Sequence, residues 1–465
     1  MVADPYDVLI LGGGPGGYVA AIRAAQLGLR TAVVEREALG GICLNWGCIP
    51  SKSLLRNAEV LSLFQRAETF GISVQGLTAD FGKAIDRSRG VVDRMVKGVQ
   101  FLLRKNGVDV YQASGCVRAP DRVELSDGQM LATSHLILAT GARPRALPGI
   151  ELDGERVITS REALALKERP EHAILIGAGP IGMEFAYVWR SYGAEITLIE
   201  ALPQIMPQED EEIAAVAARA YEKLGVQMRV GTKVVAARRE GERALVEVEG
   251  PNGRETLDAD QVLVCVGVQG NSDNLGLEAL GVRVEKTFVP VDERMATNVP
   301  GVYAIGDLTG PPLLAHVASA QGVNCVEQIA GKQPPPLDYV QMPRATYCQP
   351  EVASIGLTER QAQELGVAYK VGHFPFRGNG RALALAEPEG MAKVIAERDS
   401  GDLLGVHLVG ANVTEMLGEL SLARFLEATP SSVGYTVHAH PTLSEVVKEA
   451  ALSAEGEAIH VWQGR

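Results

Sequence analysis

The chain has 465 residues, 46% of them hydrophobic and 51 of them glycine, a length that suggests about three domains and a composition that fits a large α/β protein with many tight strand-to-helix turns. Its formal charge is 44 minus 57, or -13, and an acidic surface of that size argues against nucleic acid and anionic membranes as partners. No apolar run reaches the length of a membrane span, and Met1 to Tyr6 lacks the basic and apolar regions of a signal peptide, so the expectation is a soluble, cytoplasmic protein.

Asp7 to Leu11 reads as a short buried strand, followed by Gly12-Gly13-Gly14-Pro15-Gly16-Gly17 and the helical run Tyr18 to Gly28. A second strand, Thr31 to Val34, ends at Glu35. Gly12, Gly14 and Gly17 satisfy G-x-G-x-x-G, and Glu35 arrives 18 residues after the last of them, where a ribose hydroxyl needs an acceptor. The glycines permit a tight turn and close approach of backbone to a pyrophosphate, which sits on the helix N-terminus. Alone that spacing is weak evidence; with strand, helix and acid in register it predicts a dinucleotide site.

The next tract is Gly40-Gly41-Ile42-Cys43-Leu44-Asn45-Trp46-Gly47-Cys48-Ile49-Pro50-Ser51-Lys52, running into the amphipathic pattern Leu54, Leu55, Ala58, Leu61. This places the two cysteines at a helix start. Residues five apart on a regular helix are too distant for a disulfide, so Cys43 is expected in an irregular turn and Cys48 just inside the helix. The positive end of the helix then favours a thiolate on Cys48. Half a metal site is one rival reading, but no second Cys or His pair follows at ligand spacing. Two unrelated buried cysteines are another. Without a secretory signal, the pair reads better as a working redox couple than as a staple. Cys116, Cys265, Cys325 and Cys348 lie scattered in apolar or strand-like contexts, as small core residues do.

Ser53 to Arg66 and Val91 to Lys105 have helical apolar spacing, while Val108 to Val117, Arg122 to Leu125 and His135 to Leu138 read as strands, with a turn at Ser126-Asp127-Gly128. Ala139-Thr140-Gly141 closes this segment before a linker containing Pro144 and Pro148. The glycine device then recurs. Strand Ala173 to Ile176 leads into Gly177-Ala178-Gly179-Pro180-Ile181-Gly182, helix Met183 to Tyr192 and strand Glu195 to Ile199, ending at Glu200, again 18 residues past the last glycine. Two complete sites imply two dinucleotides: a flavin at the first, beside the cysteines, and an exchangeable nicotinamide at the second. Glu200 accepts from a free 2′-hydroxyl and repels a 2′-phosphate, and residues 201 to 207 supply no Arg or Lys, so NAD is favoured over NADP.

A charged hairpin near 237 to 258 and a strand Gln261 to Val266, ending at Gly267, come next. Val299 to Asp307 reads as a strand delivering an acid to a loop, the alternative being a free loop aspartate. From about Pro343 the pattern becomes strand-rich α+β: a capping box at Thr358 to Gln361, strands Ala368 to Phe376 and Met391 to Glu397, a turn at Asp399-Ser400-Gly401, strand Leu403 to Val409, and a long helix over Thr414 to Ala428. His438-Ala439-His440-Pro441-Thr442-Leu443-Ser444-Glu445 starts the last helix. His440 could equally cap a helix or sit in a core, and the Glu445 carboxylate has a rival use, because Thr442 to Glu445 is itself a capping box.

With the cysteine tract, both glycine fingerprints and the C-terminal His-Pro-x-x-x-Glu in hand, residues 6 to 460 resemble the dihydrolipoamide dehydrogenases, a branch of the pyridine nucleotide:disulfide oxidoreductase family. The resemblance implies an α/β fold of two Rossmann-like dinucleotide-binding domains, for FAD and NAD, plus a C-terminal α+β dimerisation domain. The implied order is a first FAD segment over 1–145, the NAD domain over 146–268, a central segment completing the FAD site over 269–340, and the interface domain over 341–465. Cys43 is then the outer thiol that meets dihydrolipoamide and Cys48 the inner thiol facing the flavin. Lys52 stands near the flavin's reactive nitrogen, paired with Glu184. Asp307 binds the ribityl chain, and Thr140, Gly141 and Ala315 line the same pocket. Gly177, Gly179, Gly182, Glu184, Glu200 and Gly267 serve NAD. His440, oriented by Glu445, is the base and reaches the partner subunit's disulfide; His438 is given no role.

The resemblance further implies a homodimer working with the lipoyl domains and acyltransferase core of a 2-oxo acid dehydrogenase or glycine cleavage complex, with no metal. Two departures stand out. Trp46 replaces a small or β-branched residue, which bears on access to the disulfide, and Val268-Gln269-Gly270-Asn271 replaces the usual Arg-x-Pro-Asn. A glutathione- or mercury-type reductase is the rival enzyme, but it wants basic residues after the second strand of the nicotinamide unit or a C-terminal cysteine pair, where this chain has Glu200 and ends Val-Trp-Gln-Gly-Arg. A non-catalytic flavoprotein subunit is the third reading, and loss of a redox cysteine or of the histidine would favour it; all three are present.

Overall fold

The computed structural model describes residues 4–251 and 253–462. The chain divides into two compact units, one formed by Met1–Ser53, Ala84–Leu147 and Gly267–Leu337, the other by Leu54–Lys83, Pro148–Val266 and Asp338–Arg465. Sequence alone suggests three or four segments; each unit gathers stretches that are distant in the chain.

In the first unit the chain runs β1 (Tyr6–Leu11), α1 (Pro15–Gln26), β2 (Thr31–Glu35), α2 (Gly41–Trp46), α3 (starting at Cys48) and α4 (ending at Lys105). β1 pairs in parallel with β2 on one side and with Met130–Leu138 on the other, with Asp109–Gln112 and Val302–Ala304 at the flanks, also parallel. Val8, Leu9 and Ile10 are buried, as a strand covered on both faces requires. The early residues of Met130–Leu138 pair antiparallel with Arg122–Leu125, which in turn pairs with Gly115–Ala119. Helix Ala315–Ile329 lies against α1 so closely that a Cβ added to Gly322 would stand 2.7 Å from the carbonyl oxygen of Gly16.

The second unit holds a parallel sheet in the order Gln227–Arg229, Glu195–Ile199, His172–Ile176, Gln261–Val264, Val157–Thr159. A three-stranded antiparallel sheet accompanies it (Lys233–Glu240, Arg243–Gly250, Gly253–Ala259). The C-terminal sheet is antiparallel, in the order Arg344–Thr346, Glu351–Gly356, Leu403–Gly410, Met391–Glu397, Tyr369–Pro375. Phe374, Phe376, Val394 and Val406 form its core with Val446 and Val447 of the last helix, Glu445–Ala454. This is the expected α/β architecture with a C-terminal α+β part. No helix among the described residues is long and apolar enough to cross a membrane.

Several element expectations need correcting. The stretch Val108 to Val117 is two strands, Asp109–Gln112 and Gly115–Ala119, and the hairpin near 237 to 258 has a third strand. The helix ending at Lys105 begins at Phe81 rather than Val91. The long helix over Thr414 to Ala428 is instead a 3-10 turn, Val413–Met416, followed by a helix Leu417–Phe425. Its first turn is held tight because the Glu351 carboxylate accepts from both the backbone N–H and the hydroxyl of Thr414, at 3.1 and 2.8 Å. At the other end Glu427 turns left-handed, with φ of 53°.

Candidate active site

The two glycine turns are built alike. Gly12 has φ of +108° and Gly177 φ of +105°, conformations closed to side-chain-bearing residues. Each donates its N–H to the end of the second strand, Gly12 to Val34 and Gly177 to Ile199, both at 2.8 Å. A Cβ on Gly17 would lie 1.9 Å from the Gly12 oxygen, and one on Gly182 2.0 Å from the Gly177 oxygen. Gly14 and Gly179 precede helices that open with Pro15 and Pro180 and have no side-chain cap, so the first N–H groups of each helix face an anion seat. The acids close both turns: Glu35 accepts from Gly13 and Glu37 amides, each at 2.7 Å, and Glu200 from Ala178 and Leu202 amides, each at 2.9 Å. Each carboxylate keeps lone pairs for a ribose hydroxyl.

The cysteine tract is seated on the first turn. Gly40 donates its N–H to the Gly13 oxygen at 2.7 Å, and Gly41, with φ of +55°, approaches so closely that a Cβ there would stand 2.8 Å from the Gly14 Cα. Cys43 does not lie in an irregular turn, as expected, but within the six-residue helix α2; the break needed to bring it to Cys48 falls at Gly47 instead, with φ of -144° and ψ of -113°. Cys48 opens α3, where the helix dipole favours its thiolate. The two thiols are not joined in a disulfide and are hydrogen-bonded to each other, and that bond, then burial and the neighbouring Cys48 charge, pushes the Cys43 thiol up, opposed by the Lys52 charge. Lys52 follows Cys48 by one turn of α3. Tyr18 of α1 stands beside the pair: burial first, then the charges of both cysteines, push its hydroxyl up.

The remaining flavin-site candidates gather around the same sheet. Gly12 faces the end of strand Met130–Leu138, since a Cβ there would stand 2.2 Å from the Ala139 oxygen. Thr140 is committed to Asn271: its hydroxyl donates to the Asn271 oxygen and its carbonyl accepts from Asn271 Nδ2, both at 2.8 Å. An added Cβ on Gly141 would meet nothing within 4 Å. Asp307 follows Gly306, whose N–H donates to Gln321 Oε1 at 2.7 Å. Burial pushes the Asp307 carboxyl up, and it has no protein hydrogen-bond partner among the described residues. A desolvated acid without a partner is what a ligand hydroxyl would satisfy. Ala315 begins an uncapped helix in this unit. Glycine cradle, anion seat, ribose acceptor and an unpaired, partly buried acid together fit FAD.

Of the nicotinamide candidates, Gly177, Gly179, Gly182 and Glu200 assemble as described. Glu184 is buried on helix Pro180–Ser191 and accepts from the Tyr347 amide at 3.1 Å. Gly267 belongs to the first unit, with φ of +73°, its oxygen accepting from the Arg145 amide at 3.2 Å. In the departure at 268–271, Val268–Gly270 pairs with Ala142–Pro144, and Arg143 reaches Asn271 Oδ1 at 2.8 Å.

At the C-terminus, His440 Nδ1 lies 3.0 Å from Glu445 Oε1, while Glu445 Oε2 accepts from the Thr442 amide at 2.8 Å. Both rival uses of this carboxylate are therefore met at once, one oxygen for each. Burial raises the Glu445 carboxyl, and the Thr442 amide with the His440 ring more than offsets it, so the net shift is downward. The His440 side chain is 78% exposed. His438, given no role from sequence, is 4% exposed and bonds Glu419 at 2.7 Å; that bond first of all raises its pKa.

Two matches to family models decide the affiliation: pyridine nucleotide-disulphide oxidoreductase over residues 6–322, and the dimerisation domain of the same family over residues 342–451. The chain belongs to the pyridine nucleotide-disulphide oxidoreductase family. It is 46% identical to a dihydrolipoyl dehydrogenase of Rhizobium etli, covering 99% of this chain and 100% of the relative, and 45% identical to that of Bacillus subtilis with the same coverage. Among solved structures it is similar to LpdA from Mycobacterium tuberculosis (TM-score 0.89, 27% identity, 96% of this chain and 98% of the other) and to the HOCl-induced flavoprotein disulfide reductase RclA from Escherichia coli (0.86, 25%, 96% and 99%).

As a member of this family the chain is an oxidoreductase with FAD and NAD as cofactors, and its dimerisation domain supports a homodimer. Sequence reasoning missed two arginines of α4 that hold the cysteine tract. Arg89 Nη1 donates to the Asn45 oxygen at 2.7 Å, a carbonyl near the end of α2 that has no intrahelical partner, and Arg87 Nη1 donates to Ser53 Oγ at 2.8 Å. No local signal marks them: in the DRSR run of residues 86–89 the acid Asp93 stands four residues after Arg89, so the run reads as an ordinary charged helix face.

Proposed function

We propose that this protein is the dihydrolipoamide dehydrogenase of a 2-oxo acid dehydrogenase or glycine cleavage complex, oxidising protein-bound dihydrolipoamide and reducing NAD. The observation that carries the reading is the seating of the Cys43–Cys48 tract on the first glycine turn, which supports a single site for the sulfur pair and a flavin held by that turn. The proposed organisation is an FAD segment over 1–145, an NAD domain over 146–268, a central segment over 269–340 and an interface domain over 341–465. Cytoplasmic location, and lipoyl domains with an acyltransferase core as partners, belong to the same reading.

Gly12, Gly14, Gly17, Glu35, Thr140, Gly141, Asp307 and Ala315 hold FAD, with Lys52 near its reactive nitrogen, and Gly177, Gly179, Gly182, Glu184, Glu200 and Gly267 serve NAD. When bound, FAD would supply the relay that carries an electron pair from the reduced cysteine pair to NAD, giving NADH. The chain's own part is sulfur and proton chemistry. His440 of the partner subunit, oriented by Glu445, takes a proton from one lipoyl thiol, and the resulting thiolate attacks Cys43 Sγ. The Cys43–Cys48 bond breaks, Cys48 leaves as a thiolate, and a mixed disulfide forms between Cys43 and the lipoyl group. The second lipoyl sulfur attacks the first, closes the lipoamide ring and releases Cys43, whose sulfur takes up the proton that this second thiol loses. Two electrons and two protons have left the substrate, and the enzyme holds a Cys43 thiol, a Cys48 thiolate and a protonated His440. A positioned base contributes about 10² to 10⁴ in rate.

The exposure of His440 supports a role across the subunit interface, as do Val437, 92% exposed, and the exposed Leu422 and Phe425 on the helix that Glu419 ties to His438. Steady-state assay decides between the enzyme readings. Reduction of NAD by dihydrolipoamide is expected; NADPH oxidation by glutathione disulfide or Hg²⁺ in its place would refute it.

A further inference from the structure

The loop that follows Glu200 is fastened at both ends, and one fastening comes from the C-terminal sheet. At the near end, the Met206 amide donates to the oxygen of Ala178, in the middle of the second glycine turn, at 2.8 Å, and the Ala178 amide is the group that Glu200 accepts. The Glu209 amide donates to the Met206 oxygen at 2.8 Å, and Gln204 Nε2 to the Glu209 oxygen at 3.2 Å, so the loop is braced internally.

At the far end two buried acids, Glu209 and Asp210, leave the loop for the C-terminal sheet. Glu209 accepts from Arg344 Nε at 3.2 Å and from Ser354 Oγ at 2.6 Å. Asp210 accepts from Lys393 Nζ at 2.9 Å and from the Glu359 amide at 3.2 Å. Lys393 is itself 1% exposed and also meets Glu359 at 2.6 Å and Glu212 at 2.9 Å. Burying a lysine among three carboxylates is a costly way to gain stability, because desolvation consumes most of the attraction. What such a cluster does supply is a fixed position for the groups it binds.

We propose that Lys393 and Arg344 are positioning residues for NAD: acting through Asp210 and Glu209, they hold the 201–210 loop so that Ala178 and Glu200 keep the geometry that the adenosine half of the dinucleotide requires. The proposal rests on reading the second glycine turn as the NAD site. It assigns to two residues of the dimerisation-domain match an effect on cofactor affinity, with no contact to the cofactor.

The test uses the full-length flavin-loaded enzyme and the variants Lys393→Gln and Arg344→Gln. Three quantities are measured: NAD affinity by equilibrium dialysis, amide hydrogen exchange at Met206 and Glu209, and the rate at which dihydrolipoamide reduces the enzyme without NAD. The expected result is faster exchange at both amides, NAD affinity weaker by roughly 2- to 30-fold, and a reduction rate unchanged within about twofold. Arg344→Lys, which keeps the charge, should recover part of the affinity. Because Lys393→Gln strands buried carboxylates, Arg344→Gln carries the test if the first variant does not fold. Unchanged NAD affinity, or an equal loss in the NAD-free reduction, overturns the proposal. Dialysis of the unmodified enzyme reports separately on the underlying reading: if it binds no NAD, that reading fails first and the proposal goes with it.

Discussion

The amide of Gly40 donates to the carbonyl oxygen of Gly13 at 2.7 Å, and through that bond the tract bearing Cys43 and Cys48 is built onto the first glycine turn, the proposed seat of the flavin. The next residue, Gly41, has no room for a side chain, its virtual Cβ standing 2.8 Å from the Gly14 Cα. Gly41→Val should therefore separate the two elements, costing about 1–3 kcal/mol in backbone strain and contact. The purified variant is expected to carry less flavin and to melt lower, measured by flavin absorbance per chain and thermal unfolding. Full flavin occupancy with unaltered melting would contradict the shared construction.

Arg89 supplies the Asn45 carbonyl with a donor that α2 is too short to provide. Arg89→Met removes a charged hydrogen bond, about 1.5–3 kcal/mol, and should slow reduction of the enzyme by dihydrolipoamide while leaving NAD affinity alone. Arg89→Lys should recover part of the rate. Rapid mixing without NAD measures it, and equal rates in wild type and Arg89→Met would remove this residue from the account.

Much of this site is legible in the sequence because local geometry dictates residue type. Only glycine tolerates the backbone of Gly12 and Gly177, and an acid must end the second strand, so Glu35 and Glu200 announce themselves by spacing. Cys43 was harder. Its helix is six residues long and is held by Gly40 and by Arg89 from another element, information that no local pattern contains. The same holds for the 413–425 region, where a carboxylate from strand Glu351–Gly356 sets the first turn. Helix Glu211–Lys223 gives a weak signal because three of its five buried positions, Ala214, Ala217 and Ala220, are alanine. The Glu209 and Asp210 anchors are invisible for a further reason: acids in a loop ordinarily face water.

Glu445 divides its two oxygens between His440 and the Thr442 amide. Glu445→Gln should keep the second contact and weaken the first, lowering kcat by roughly 10- to 100-fold, the equivalent of about 1.5–3 kcal/mol, with little change in KM for NAD. Hybrid dimers provide the companion test. Mixing Cys48→Ser with His440→Ala subunits creates one intact sulfur–imidazole site per hybrid, so activity should exceed that of either parent; no gain would place both groups within one subunit.

Two neighbouring pairs set opposite pH windows. The Glu445 pKa is lowered on folding, so its contribution is complete above the usual carboxylate range and fades as pH falls through the lowered value. The His438 pKa is raised, chiefly by Glu419, so its contribution is complete below about 6.5 and fades as pH rises through the higher value. His438→Gln should therefore cost more stability at pH 5.5 than at pH 8.5, read from thermal melts at roughly those two values. Equal losses at both would contradict the assignment of that ion pair.

Glu200 accepts from two backbone amides at the second glycine turn, and in the proposed NAD site its charge would repel a 2′-phosphate. Glu200→Ala should weaken NAD and narrow its preference over NADP by at least about tenfold in kcat/KM, the worth of roughly 1.4 kcal/mol of repulsion removed. An unchanged ratio would move cofactor choice elsewhere.

Anaerobic reduction of the flavin-loaded enzyme by dihydrolipoamide, followed spectroscopically in wild type and in Cys48→Ser, tests the joined sulfur–flavin site most directly. The wild type should develop the long-wavelength band of a thiolate in contact with oxidised flavin and then reduce added NAD, and Cys48→Ser should do neither. Persistence of that band without the Cys48 sulfur would contradict the account.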